Sequence, residues 1–189
     1  MQRLLKEIRS CTFCEKHLPL GANPIVDFNK NSKIVLISQA PGRVVHQSHI
    51  PWSDQSGMKL REWLGVDHET FYNPNNFAVV PMAFCYPGKA KSGDAPPRKE
   101  CAPLWHKTVF SELKNVQLKI LIGAYAASYY LPGKSNLTQK VENYEQHLPE
   151  FWCLPHPSPV NQFWRKKNPW FEEITVLRLQ KHISEILEK

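Results

Sequence analysis

The sequence predicts an α/β fold: a three-layer α/β/α sandwich built on a central, mainly parallel four-stranded sheet. Three observations predict it. Short β-branched or aromatic runs recur along the chain, each stops at a turn signal, and each is followed by a helical pattern. Runs such as Ile34-Val35-Leu36-Ile37 and Ile120-Leu121-Ile122 are apolar without alternation, as strands covered on both faces must be.

In chain order, residues 1–10 mix Leu4, Leu5 and Ile8 with Arg3, Lys6, Glu7 and Arg9. That is a short amphipathic helix, without the long apolar stretch of a signal peptide. Strands are predicted at 33–38, 77–82, 118–123 and 151–155. Helices are predicted at 57–64, 99–113, 124–131 and 136–143, which gives a βαβ alternation. The last helix carries the most signals. Asn168 suits its N-cap, Pro169 its first position, and Glu172 and Glu173 the positive end of its dipole. Phe171, Ile174, Leu177, Ile183, Ile186 and Leu187 then supply an apolar face.

The 189 residues are read as one domain, 1–189, large enough to bury a core without disulfides. With 42% hydrophobic and 22% charged residues, disordered and fibrous classes are excluded. No apolar run approaches a membrane span, and the expectation is a cytoplasmic monomer with no membrane partner. In a reducing compartment the five cysteines are free thiols or metal ligands rather than a disulfide framework. The formal charge of +7, from 24 Lys and Arg against 17 Asp and Glu, points to a polyanionic partner.

Prolines and basic residues cluster in two connections, 86–99 and 155–167, which follow predicted strands. In an open α/β sheet such loops form the ligand crevice. Three constellations stand out. Cys11-Thr12-Phe13-Cys14 with Cys85 and Cys101 makes a four-thiolate set that suits zinc or an iron-sulfur cluster alike; unliganded core thiols are the plainer reading, and it is the one taken for Cys153. Ser38-Gln39-Ala40-Pro41-Gly42 follows the first strand, where a turn can aim backbone N–H groups into the crevice. His156-Pro157-Ser158-Pro159-Val160-Asn161 follows the last strand, and its two prolines stiffen the loop that aims His156.

In this order the pieces resemble the iron-sulfur uracil-DNA glycosylases of bacteria and archaea. Those proteins carry Gly-Glu-Ala-Pro-Gly or Gly-Leu-Ala-Pro as a first motif, His-Pro-Ser or a close relative as the last, and four cysteines of similar order and spacing. The likeness runs from Cys11 to about Asn161, with Leu121-Ile122-Gly123-Ala124 fitting the strand-to-helix turn. It implies a [4Fe-4S] cluster on Cys11, Cys14, Cys85 and Cys101, with zinc as the alternative. It also implies a monofunctional DNA glycosylase of base excision repair, hydrolysing the N-glycosidic bond of a damaged or deaminated base, uracil foremost.

By the same resemblance His156 donates a hydrogen bond to the departing base, assisted by a backbone N–H near Gln39. Ala40, Pro41, Gly42, Ser158 and Asn161 belong to the base pocket, and Trp52 stacks on the base. Ala40 stands where the best-known uracil glycosylases place an aspartate. The carboxylate is therefore assigned to Asp54, since Trp52-Ser53-Asp54-Gln55-Ser56-Gly57 is similar to a Phe-Thr-Gly-Asp-x-Ser-Gly segment of one branch; the alternative for Asp54 is a helix N-cap. Arg165, Lys166 and Lys167 beside Phe163 and Trp164 suit phosphate contacts and an apolar wedge, or else a solvated charged loop.

One departure concerns specificity. Where the family places a base-reading asparagine, four residues before the third cysteine, this chain has Pro81. That opens hypoxanthine or xanthine as the substrate base. It also sustains two other readings, a non-catalytic nucleic-acid binding protein on the same fold and a zinc-stabilised hydrolase or ligand-binding module. The His46-Gln47-Ser48-His49 stretch has no counterpart in the family.

Overall fold

Four runs form the sheet in the computed structural model, which describes residues 1–188: Ile34–Ile37 (β1), Phe77–Val79 (β2), Leu118–Ile122 (β3) and Phe151–Leu154 (β4). The order is β2-β1-β3-β4, and every pairing is parallel. Leu36 lies opposite both Val79 and Ile120, and Ile122 lies opposite Leu154. Successive side chains of a strand point to opposite faces. Since Ile34, Val35, Leu36 and Ile37 are all fully buried, both faces of the sheet are covered, at roughly 1.5–3 kcal/mol for each large apolar side chain enclosed.

The covering comes from α1 (Gln2–Arg9), α2 (Arg43–Ser48), α3 (Gln55–Leu64), α4 (His68–Tyr72), α5 (Cys101–Glu112), α6 (Ala124–Tyr130), α7 (Leu137–Glu142), α8 (Gln162–Lys167) and α9 (Val176–Leu187). α6 lies against β3, α7 against β4, and α3 packs on α9. Asn136 and Gln139 close a reciprocal capping box at the start of α7, which satisfies two otherwise unpaired N–H groups. Among the described residues no helix is long and apolar enough to cross a membrane.

β2 stops at Val79, earlier than the predicted 82. Val80 and Met82 still donate across to Leu36 and Ser38, at 3.0 and 2.7 Å. Residue 81 faces the outer side of this edge strand, where a missing N–H breaks no ladder bond. Instead its carbonyl accepts from Nε2 of His106 on α5, at 2.9 Å.

Two readings near the last helix are corrected. Asn168 does not cap the last helix: its side-chain amide donates to Trp164 O at 2.8 Å, closing the end of α8. The following helix opens as a wide turn over Phe171–Thr175 before α9 proper. The basic run 162–167, read as a loop, is α8, and the unplaced His46 stretch lies in α2, which ends at His49 in the left-handed region. Cys153 is a fully buried core residue, as expected.

Candidate active site

Parallel strands deliver their carboxyl ends to one side of a sheet, and β1 sits between β2 and β3, where the strand order switches and a crevice opens. A cleft of about 510 Å³ occupies that end. Its wall takes Ser38 to Gly42 from the turn after β1, Trp52, Asp54 and Ser56 from the start of α3, Pro81 from the end of β2, and His156, Ser158 and Asn161 from the loop after β4. The two sequence constellations outside the cysteine set thus meet the Trp52 to Ser56 segment in one pocket.

His156 is held from several directions. Asn161 donates its side-chain amide to the His156 carbonyl at 2.8 Å. The Ser158 N–H donates to the ring at Nδ1, 3.2 Å away. An N–H pointed at Nδ1 makes that atom an acceptor and leaves the ring proton on Nε2. Burial holds the imidazole below its ordinary 6.5, against the pull of the Asp54 charge, so the ring is a neutral Nε2–H donor. Gly123, at φ +87°, turns β3 into α6 beside this ring; a positive φ there favours glycine.

Asp54 does two things at once. It lines the cleft, and its Oδ1 accepts the Gly57 N–H at 3.0 Å as the N-cap of α3. Trp52 is buried, 7% exposed, with its ring 5.9 Å from that of His156. Its backbone sits in the left-handed region at φ +58°, a conformation that costs a bulky residue on the order of 1–3 kcal/mol and marks functional sites. Tyr72 holds it there, donating to the carbonyls of Pro51 and Trp52 at 2.9 and 3.2 Å, and Arg61 adds a bond to the Trp52 carbonyl at 3.3 Å.

Asp94 and Val160 are among the lining residues that the sequence did not single out. Asp94 enters from the 86–99 connection, and Val160, 80% exposed, stands at the cleft beside His156 and Ser158. The first had only its loop as a signal. The second is an apolar residue among the polar ones of its motif, and carries no chemical signal of its own. Gln39 lines the cleft as expected, but its side chain donates to the Ala95 carbonyl at 3.0 Å, which ties the two loops together.

The cysteines form a separate site. Cys11 and Cys14 follow α1, Cys85 follows β2 and Cys101 opens α5; all four line one cavity with Arg98. Burial pushes the Cys85 thiol up to about 11 and that of Cys101 to about 12. The Phe84 N–H donates to Cys101 Sγ at 3.4 Å, and Arg98 hydrogen-bonds Cys14 while Glu100 grips its guanidinium at 2.8 Å. Among the described residues no group of three or more His, Cys, Asp or Glu is arranged to hold a metal ion. The thiols share a cavity without forming a closed single-ion site. Four soft donors, with N–H groups directed at their sulfurs, fit a thiolate-bound group.

The family model of the uracil-DNA glycosylase superfamily matches residues 25–180, a span that contains the sheet and every wall of the cleft. The chain belongs to the uracil-DNA glycosylase superfamily. It is also 26% identical, over 145 residues, to a type-4 uracil-DNA glycosylase of Thermotoga maritima, covering 75% of this chain and 71% of the relative. The resemblance drawn from the motifs therefore holds, and with it a glycosylase reaction on DNA.

The residues expected to meet DNA do not stay together in the structure. Lys166 and Lys167 on α8 are exposed, and Phe163 is 67% exposed but outside the cleft lining. Arg165 turns inward, its Nε 3.5 Å from Glu172 and its guanidinium 6.0 Å from the Trp63 ring, which makes it a packing residue of α8.

Proposed function

We propose that the cleft receives an everted nucleotide and that His156 and Asp54 release its base by hydrolysis, without strand cleavage. The observation that carries this reading is that a neutral Nε2–H donor and a carboxylate line the same pocket as the turn after β1. Bond breaking sends electrons into the base and leaves positive charge on the sugar. The His156 donor meets the charge on the base oxygen, backbone N–H groups of the turn at Gln39 to Gly42 assist it, and the Asp54 carboxylate stabilises the cation. Trp52 presents a ring for stacking, worth roughly 1–3 kcal/mol.

Eversion costs about a few kcal/mol. Val160 projects as an apolar wedge that can fill the vacated stack, a better-placed candidate than Phe163. Lys166 and Lys167 serve as phosphate contacts. Cys11, Cys14, Cys85 and Cys101 hold a [4Fe-4S] cluster, which supplies a structural tie between the chain after α1 and the start of α5.

Pro81 supports a second substrate class. It lines the cleft where an amide would read the edge of uracil, and its carbonyl is committed to His106. Hypoxanthine and xanthine therefore stand beside uracil as bases to be excised. Oligonucleotides carrying each base, incubated with protein and then cleaved at abasic sites with alkali, test the reading. Breaks that vanish in Asp54→Ala and His156→Ala are expected; unchanged breaks in both variants overturn the assignment.

A further inference from the structure

The connection between β2 and α5 carries a small hairpin with no part in the chemistry above. Its turn is closed by Ala90 N–H to Gly93 O at 3.1 Å and Ala95 N–H to Gly88 O at 2.8 Å. The Gln39 amide then pins Ala95 to the turn after β1. This places Asp94 in the cleft wall, with Oδ2 3.5 Å from where a Cβ on Gly42 would stand. The Tyr86 hydroxyl donates to its Oδ1 at 3.4 Å.

We propose that Asp94 is a further catalytic residue, the proton acceptor for the attacking water, working with Asp54 in a two-carboxylate division of labour. The inference rests on the glycosylase reading above and deepens it. Reactions through a cationic sugar need one carboxylate to face the cation and a base to activate water. Asp54 has one oxygen committed to the Gly57 N–H, which fixes it toward the cation. Asp94 sits on an exposed hairpin, where it can take up water and return a proton to solvent.

In the step itself the C1′–N bond breaks and its electron pair leaves on the base. The water oxygen bonds C1′, one water proton passes to Asp94, and that proton returns through solvent to the released base anion. The groups bearing on Asp94 are the Tyr86 hydroxyl, Lys89 on its own hairpin and Asp54 from α3, while Arg43 and His46 of α2 bear on Tyr86. Partial burial raises the carboxyl above its ordinary 3.8, and the Asp54 charge adds to the rise. A carboxylate so raised is a better proton acceptor.

The test is single-turnover base release from a uracil-containing duplex across a pH series, with Asp94→Asn, Asp94→Glu and Asp54→Asn beside the parent. Asp94→Asn is expected to lose about 100-fold or more in rate and to lose the acid limb of the profile, with binding of the duplex and the melting temperature unchanged. Asp94→Glu should recover part of the rate, and Asp54→Asn should keep the acid limb. An active parent whose Asp94→Asn variant keeps both rate and limb overturns the role of Asp94 alone. A parent that releases no base overturns this inference together with the reading beneath it.

Discussion

The ring state of His156 follows from one bond. Because the Ser158 N–H addresses Nδ1 and burial lowers the pKa from 6.5, long-range proton-nitrogen spectra should show an Nε2–H tautomer that titrates below 6.5. Removing the donor in His156→Ala should cost about a hundred to a thousandfold in base release while duplex affinity holds. Gly57 is constrained just as narrowly, since a Cβ there would lie 1.8 Å from the Trp52 carbonyl. Gly57→Ala must move Trp52 or the start of α3. Urea denaturation should show a loss of about 1–3 kcal/mol, the usual scale of overpacking, together with slower base release.

At the scale of elements, Pro81 after β2, His106 on α5 and Tyr130 on α6 are joined in one buried chain. His106 bonds the Pro81 carbonyl through Nε2 and the Tyr130 hydroxyl through Nδ1. Burial drops His106 from 6.5 to about 4. Between those values the unfolded chain binds a proton that the fold refuses, so stability is full above pH 6.5 and falls as pH drops toward about 4, by roughly 3 kcal/mol in all. Denaturation midpoints of the parent should fall over that range, and those of His106→Gln should fall less. None of this was legible beforehand, because a histidine on an amphipathic helix announces no partner. The strands were legible, since continuous apolar runs have one solution in a doubly covered sheet. The short helices α2 and α4 were not: at six and five residues they offer too few turns for a period to show. Asn168 misled because its side chain satisfies the helix behind it rather than the one ahead.

At the scale of the whole molecule, the four cysteines that share one cavity are distant in sequence. Cys11 and Cys14 lie just past α1, whereas Cys85 and Cys101 bracket the connection that carries the Asp94 hairpin. A group bound across them closes a long loop, and such closures constrain the unfolded chain most. Burial raises the thiols of Cys14, Cys85 and Cys101; loading therefore releases protons and adds its binding energy to folding. Cys→Ser at any of the four should lower the melting temperature, the soluble yield and the iron and sulfide content together. The hairpin should also loosen, so hydrogen exchange at residues 88–95 should quicken in Cys85→Ser and in Cys101→Ser while the β3 and β4 amides stay protected. A variant that loses iron yet keeps its melting temperature and the slow exchange of that hairpin would leave the four cysteines without a structural part in the fold.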